Sequence, residues 1–171
     1  MTRRLVAASL ASLALAALGC GGGGGYGSGG NGSGGSGSAG ASTVSVRDTS
    51  LGKILVDDSG RTLYLFEKDK GGRSACSGSC TSAWPPLTAS GAPSAGSGVS
   101  AKLLGTTKRA DGKTEVTYAG HPLYLYAGDS KAGDTRGQGL DQFGAEWYVL
   151  NGAGKKVEGG EGDSSSSSNP Y

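Results

Sequence analysis

A pattern of ten residues occurs twice in this chain, with an offset of sixty residues. Residues 60–69 read GRTLYLFEKD and residues 120–129 read GHPLYLYAGD, so both follow the pattern G-x-x-L-Y-L-aromatic-x-x-D. A tryptophan follows each copy, at Trp84 and at Trp147. Similar segments at a fixed offset indicate an internal repeat. Because one hairpin alone is only marginally stable in water, we expect a duplicated β unit whose two halves pack together.

Apolar residues in and around the repeats alternate with a period of two, which is the period of a β-strand. The strands are predicted at residues 53–57, 62–66, 106–109, 114–118, 123–126 and 146–150. The turn-forming clusters Asp58-Ser59-Gly60 and Asp111-Gly112 lie between consecutive strands. The sequence therefore predicts an all-β fold in which two homologous hairpin repeats, at about 51–87 and 106–150, pack as one small barrel or sandwich.

The first nineteen residues have the layout of an export signal. Two arginines precede an apolar stretch, residues 5–18, that is too short to cross a bilayer and suits a signal peptide. Ala17-Leu18-Gly19-Cys20 resembles the lipobox of bacterial lipoproteins, in which the cysteine thiol is alkylated with diacylglycerol. We expect a signal peptide at 1–19 and a lipid anchor on Cys20, which holds the protein outside the cytoplasm. An ordinary secretory signal and an uncleaved anchor are the alternatives.

Two segments of the mature chain have a composition that does not favour folding. Residues 20–43 are almost entirely Gly, Ser and Ala after Cys20, and residues 158–171 include five consecutive serines. Such segments bury too little apolar surface to offset the entropy of ordering the backbone. We therefore predict a flexible linker, one folded domain at 44–157 and a disordered tail.

The charge of the chain argues against one class of partner. The 16 basic and 14 acidic residues give a net charge of +2, but the signal peptide contains two arginines and no acidic residue. The mature chain is therefore close to neutral. A protein that binds nucleic acid needs an excess of positive charge on its surface, so no nucleic-acid partner is expected.

The repeated motif resembles that of a known family. YLFEKD and YLYAGD match the Yx(F/W/Y)xxD motif of a family of secreted-repeat lipoproteins. Further likenesses are the pair Cys76 and Cys80 before Trp84-Pro85-Pro86, the segment 118–124 and the segment 137–140. The resemblance covers residues 51 to about 149. It implies an exported lipoprotein, and the family has no known function.

Cys76 and Cys80 are the two cysteines that remain after lipidation of Cys20. We expect them to form a structural disulfide, since an unpaired cysteine is unusual in a secreted protein. A redox-active pair is the alternative, although the spacing differs from the C-x-x-C of thioredoxin-like sites. A zinc site would need four ligands, and His121 is the sole histidine. No metal or other cofactor is expected.

The motif residues are the candidate ligand-binding residues. Tyr64 and Phe66 alternate to one face of their strand, as do Tyr124 and Tyr126 in the second repeat. Core packing is the expected role of these side chains. A shared aromatic cleft for an apolar or planar ligand is the alternative.

Three further candidates are polar. Asp69 and Asp129 end the repeated segments and are expected to accept hydrogen bonds from loop amides, although a role in binding calcium is an alternative. His121, which precedes Pro122, is expected to be half-buried in a turn, and any Ser-His-Asp triad would have to include it. The glycine-rich segment 128–144 is expected to be an irregular loop.

These observations favour a non-enzymatic module of the cell envelope. No catalytic residue is predicted. The expected partners are the membrane, through the lipid anchor, and an envelope protein or a small ligand. The alternative is an accessory protein in redox or metal handling outside the cytoplasm.

Overall fold

The computed structural model describes residues 42–159. The predicted signal peptide, Cys20, the linker up to residue 41 and the tail from residue 160 lie outside the described residues. The strands are β1 (Thr43–Thr49), β2 (Gly52–Val56), β3 (Tyr64–Phe66), β4 (Ser94–Ala95), β5 (Leu104–Lys108), β6 (Thr114–Tyr118), β7 (His121–Pro122), β8 (Leu140–Gln142) and β9 (Ala145–Val149). One short helix, α1 (Cys80–Ala83), and a 3-10 turn (Ala101–Leu103) accompany them.

The strands form three small sheets, and the prediction of an all-β fold is confirmed. Their strand orders are β2-β1-β4, β3-β9-β8 and β5-β6-β7. All pairs are antiparallel except β1 with β4, which is parallel. None of the three sheets in residues 42–159 closes into a barrel, and the arrangement fits a sandwich.

The last segment of each repeat pairs with a strand segment of the other repeat. Strand β3 of the first repeat pairs with β9 of the second, with Tyr64 opposite Val149. In the reciprocal contact Tyr124 of the second repeat bridges to Pro86 of the first. Each repeat therefore lacks strand partners that the other supplies.

The hairpins of the two repeats are also joined by reciprocal backbone hydrogen bonds. The amide of Leu55 in β2 donates to the carbonyl of Leu150 at 2.8 Å, and the amide of Val116 in β6 donates to the carbonyl of Leu87 at 2.8 Å. The first bond runs from repeat one to repeat two and the second runs back. The pattern is that of an approximate two-fold axis between the repeats.

Two hydrophobic cores lie on opposite sides of the repeated segments. The leucines of the repeat, Leu63 and Leu65 with Leu123 and Leu125, pack in one core. The aromatic side chains of the same segments pack in the other. The predicted alternation of faces is confirmed, and both faces are buried.

The predicted strand at 123–126 is wrong in its extent. Only Tyr124 forms bridges there, and the regular strand before it, β7, is limited to two residues. The partner segment contains Pro85 and Pro86, which have no amide hydrogen and cannot donate to a continuous ladder. The equivalent strand of the first repeat faces β9, which has no proline.

Three strands lie outside the predicted set. β1 includes Thr43 of the predicted linker, β4 pairs with it, and β8 lies within the segment 128–144 that was predicted to be an irregular loop. β4 and β8 are two and three residues long, too short to show alternation, whereas β1 does alternate at Val44 and Val46. β1 and β8 each pair with the next strand in a tight hairpin, and the pairing of β4 with β1 joins segments that are far apart in sequence.

Candidate functional site

The motif side chains of the two repeats bind to each other. The hydroxyl of Tyr64 donates to Oδ2 of Asp129 at 2.7 Å, and the hydroxyl of Tyr124 donates to Oδ2 of Asp69 at 2.8 Å. Each tyrosine therefore bonds to the aspartate of the other repeat rather than to the aspartate of its own motif.

The backbone at the same place joins the two repeats. The amide of Tyr64 donates to the carbonyl of Tyr124 at 2.8 Å, and the amide of Tyr124 donates to the carbonyl of Tyr64 at 3.0 Å. Both rings are fully buried. Burial raises the pKa of both phenols well above its ordinary value, and the neighbouring carboxylates raise it further, so both stay protonated.

Asp69 and Asp129 each hold a loop as well as a phenol. Oδ1 of Asp69 accepts from the amide of Ala75 at 2.7 Å, and Oδ1 of Asp129 accepts from the amide of Arg136 at 2.9 Å. The expected bonds to loop amides are therefore present. Burial raises the pKa of both carboxyls above its ordinary value.

The aromatic residue two positions after each motif tyrosine also contacts the other repeat. Phe66 stacks on Trp147 with ring centroids 4.0 Å apart, and Tyr126 lies against Trp84 at 4.4 Å. The two tryptophans stack on each other at 3.9 Å. Phe66 and both tryptophans are buried and Tyr126 is half-buried, so these rings fill a core rather than line an open cleft.

A buried polar cluster lies beside Asp69. Ser74 donates to the Tyr124 oxygen, whose own proton is bonded to Asp69, and accepts from Nη1 of Arg109, each at 2.7 Å. The same Nη1 donates to Oε2 of Glu115 at 2.7 Å, while Oε1 of Glu115 and Nε of Arg109 are buried without a hydrogen-bond partner. Burial raises the pKa of Glu115 to about 7, although Arg109 opposes the shift.

Cys76 and Cys80 form the expected disulfide, and both residues are buried. The carbonyl of Cys76 accepts from Nη2 of Arg109 at 2.6 Å. The bridge closes the loop that leads into α1, next to the aromatic core. Its position is that of a structural crosslink.

His121 is half-buried in a surface groove, as predicted for its burial. The groove has a volume of about 460 Å³ and is lined by Leu65, Phe66, Glu67, Asp69, Lys70, His121 and Lys156. Burial lowers the pKa of His121, which favours the neutral imidazole. The floor is apolar, and the rim carries both signs of charge.

The structure brings most of the candidate residues together. Tyr64, Phe66, Tyr124, Tyr126, Asp69 and Asp129 meet at the junction of the two repeats, and His121 lies in the groove beside Phe66 and Asp69. Cys20 lies outside the described residues. No group of three or more His, Cys, Asp or Glu side chains within residues 42–159 is placed to hold a metal ion.

Four participants in the site do not stand out in the sequence. Three of them, Ser74, Arg109 and Glu115, build the polar cluster. The fourth is Gln142: its side-chain oxygen accepts from the indole N–H of Trp84 at 2.9 Å, and its backbone carbonyl accepts from that of Trp147 at 3.0 Å. Glu115 offers one signal, because it interrupts an otherwise favourable strand sequence with a charge on a face that the fold buries.

Comparison with known proteins identifies a family that this chain matches. A family described as a secreted repeat of unknown function matches residues 45–88 and 105–151. These two ranges agree with the repeats that the sequence predicts. No curated protein and no solved structure matches the chain. No helix in the part of the chain that the structure describes has the length and apolarity that a membrane crossing requires.

Proposed function

The chain belongs to the family of secreted repeats of unknown function, and on that premise we propose that it is a lipid-anchored binding module of the bacterial envelope. In this proposal Cys20 holds the protein on the outer side of a membrane. The folded domain binds an envelope protein or a small ligand and does not convert it.

The observation that carries the proposal is the reciprocal use of the motif side chains. Tyr64 and Tyr124 bond to Asp129 and Asp69, so the motif residues join the repeats and are not free for substrate chemistry. A rigid domain built in this way suits the presentation of a surface.

The groove at His121 is the surface that we assign to the partner. It combines the apolar Leu65 and Phe66 with the charged Glu67 and Lys70. An apolar floor with a few charged groups at its rim is typical of binding sites. The only thiols of the domain are joined in a disulfide, which supports binding rather than nucleophilic catalysis.

The anchor is tested by Cys20→Ser in the full chain. We expect the wild type to incorporate labelled palmitate and to partition into detergent, and the variant to do neither, because the serine oxygen cannot replace the thiol. Two or more acyl chains anchor a protein stably, so the wild type should sediment with membranes. Continued detergent partitioning of the variant would contradict the anchor.

Binding at the groove is tested by a photo-crosslinking residue in living cells. Lys70, which is exposed at the groove, is replaced by a benzophenone amino acid, and exposed Lys102 outside the groove serves as the matched control. We expect discrete crosslinked species, read by gel and mass spectrometry, from position 70 alone. Identical patterns from the two positions would rule out the groove as the binding surface.

A further inference from the structure

Four aromatic rings form one continuous stack through the junction of the repeats. Its order is Phe66, Trp147, Trp84 and Tyr126, with successive centroids 4.0, 3.9 and 4.4 Å apart. The first two pairs are almost parallel, with interplanar angles of 6° and 4°. The π systems are therefore in van der Waals contact along the whole stack.

A hydrogen-bonded tyrosine lies edge-on to each tryptophan. The Tyr64 ring is 5.3 Å from Trp84 and the Tyr124 ring is 5.1 Å from Trp147, measured between centroids. The hydroxyls donate to Asp129 and Asp69 at 2.7 and 2.8 Å. Each buried phenol thus has, beside the stacked tryptophans, a carboxylate as the acceptor of its proton.

Tryptophan and tyrosine are among the side chains that lose one electron most readily. An oxidised phenol in a buried site must also release its proton, since a cationic radical is poorly solvated there. A carboxylate that already accepts the hydrogen bond can take this proton without a change in the net charge of the pair. Burial raises the pKa of the Tyr64 phenol and of the Asp129 carboxyl, which disfavours the phenolate and favours the protonated carboxyl. Both effects favour transfer of the electron and the proton in one step.

The stack reaches the surface at one end. Tyr126 is half-buried, whereas Trp84, Trp147 and both hydrogen-bonded tyrosines are fully buried. An oxidant outside the protein can therefore approach Tyr126, whereas the two tryptophans, Phe66 and the two hydrogen-bonded tyrosines are shielded from it. The two tryptophans connect this ring with Tyr64 and Tyr124.

We propose that the aromatic core is a one-electron relay that passes an oxidising equivalent from Tyr126 to Trp84, and from there either to Tyr64 or through Trp147 to Tyr124. The oxidant is a one-electron acceptor of the envelope, such as an oxidised metal centre or an organic radical, and it is reduced by one electron. The phenol loses one electron and its O–H proton, and the hydrogen-bonded aspartate accepts the proton. A reduced metal centre of the envelope returns one electron to the phenoxyl radical and is itself oxidised by one electron, and the proton then moves from the aspartate back to the phenol oxygen. This role goes beyond the proposed binding function and does not depend on it.

The relay is tested by flash photolysis of the full chain with photogenerated tris(bipyridine)ruthenium(III) as the oxidant. We expect the absorption of a tryptophanyl radical to convert into that of a tyrosyl radical at a rate independent of protein concentration. In the double variant Tyr64→Phe and Tyr124→Phe the yield of tyrosyl radical should fall below that of the wild type, because Tyr126 is then the one tyrosine of the stack that remains. Tyr148→Phe is the matched control, since its hydroxyl also bonds to a carboxylate, Glu146, but its ring lies outside the stack.

The proton acceptors are tested by Asp69→Asn with Asp129→Asn. We expect the conversion to slow roughly tenfold or more, in line with the loss of a charge-assisted hydrogen bond in the transition state. The ratio of the conversion rates in H₂O and D₂O should also be smaller in this variant than in the wild type. Circular dichroism of each variant is recorded first, and the single substitutions replace any double variant that does not fold.

Two results would overturn the relay. One is a tyrosyl radical yield in the Tyr64 and Tyr124 variants equal to that of the wild type, because the radical would then reside on another tyrosine. The other is a conversion rate proportional to protein concentration, which would show transfer between molecules.

Discussion

Glu115 is the residue whose environment departs most from that of an ordinary strand side chain. It is fully buried on β6, and Arg109 satisfies only one of its two carboxylate oxygens. The nearby carboxylate of Asp69 adds to the effect of burial on the pKa of Glu115. The second ion pair of Arg109 is with Asp111, which is exposed, so Glu115 is the one buried carboxylate of residues 42–159 in contact with this cation.

This environment makes stability depend on pH in a direction opposite to that of most carboxylates. The folded state holds the Glu115 proton up to a pKa of about 7, and the unfolded state releases it at the ordinary glutamate pKa of 4.5. Between these values the folded state binds more protons, so the free energy of unfolding falls as the pH rises. The contribution is fully present below the unfolded pKa and is lost above about pH 7.

We predict that the stability difference between the wild type and Glu115→Gln shifts against the wild type as the pH rises from about 5 to about 7. Glutamine keeps an acceptor for Arg109 and does not titrate, so the difference isolates the carboxyl from other groups, including His121. Urea unfolding at several pH values measures it. A difference that is constant with pH, or that grows in favour of the wild type, would contradict the raised pKa.

At the scale of residues, the sequence predicted the type of bond but not the partner. Asp69 and Asp129 were expected to accept from loop amides, and they do. The phenols that also bind them come from the other repeat, and a local pattern contains no information about that pairing. Arg109 and Glu115 were missed for the same reason.

Among the elements, the β8–β9 hairpin contains a bulky residue in an unfavourable conformation. Phe143 has φ of 60° and Gly144 has φ of 89°, as a type I′ turn requires. Phe143 is also the only large hydrophobic side chain that is exposed within residues 42–159, with 41% of its surface accessible. Asparagine adopts this conformation far more readily than phenylalanine.

We predict that Phe143→Asn raises the free energy of unfolding by about 1 kcal/mol, through relief of backbone strain. Phe143→Leu is the matched control, since leucine removes the ring and keeps the strain, and it should give no gain. Chemical denaturation measures both variants. Equal stabilities for the two variants would show that φ at position 143 costs little.

The disulfide is the second element with a measurable contribution. It joins residues four apart in sequence. The loop-closure model gives about 2 kcal/mol for a ring of this size. We therefore predict that Cys76→Ser with Cys80→Ser lowers the free energy of unfolding by about that amount and leaves the circular dichroism spectrum unchanged. A variant that is unfolded without denaturant would show that the bridge is required for the fold.

At the scale of elements, alternation and turn residues located the strands that have strong local signals. The hairpin of β5 and β6 with its Asp111-Gly112 turn is one example. β8 was missed because Leu140–Gln142 has no alternation and is held by its pairing with β9. The length of the strand at 123–126 was overestimated because the prolines that interrupt its hydrogen bonds, Pro85 and Pro86, lie on the partner segment, far away in sequence.

For the whole molecule, the repeat predicted that two halves pack together and could not predict that they exchange segments. Side-by-side packing of two self-contained hairpins would satisfy the same pattern. In the structure, β3 pairs with β9 and both motif phenols cross to the other repeat. The repeated tyrosine and aspartate of this chain are thus explained as an interface between its two repeats.

The most direct measurement of this claim is a pair of double-mutant cycles on Tyr64. One cycle combines Tyr64→Phe with Asp129→Asn and the other combines it with Asp69→Asn, with urea unfolding as the readout. The account predicts a coupling energy of about 1 kcal/mol or more for Tyr64 with Asp129, and a value near zero for Tyr64 with Asp69. Coupling of Tyr64 to Asp69 and not to Asp129 would contradict the exchanged arrangement.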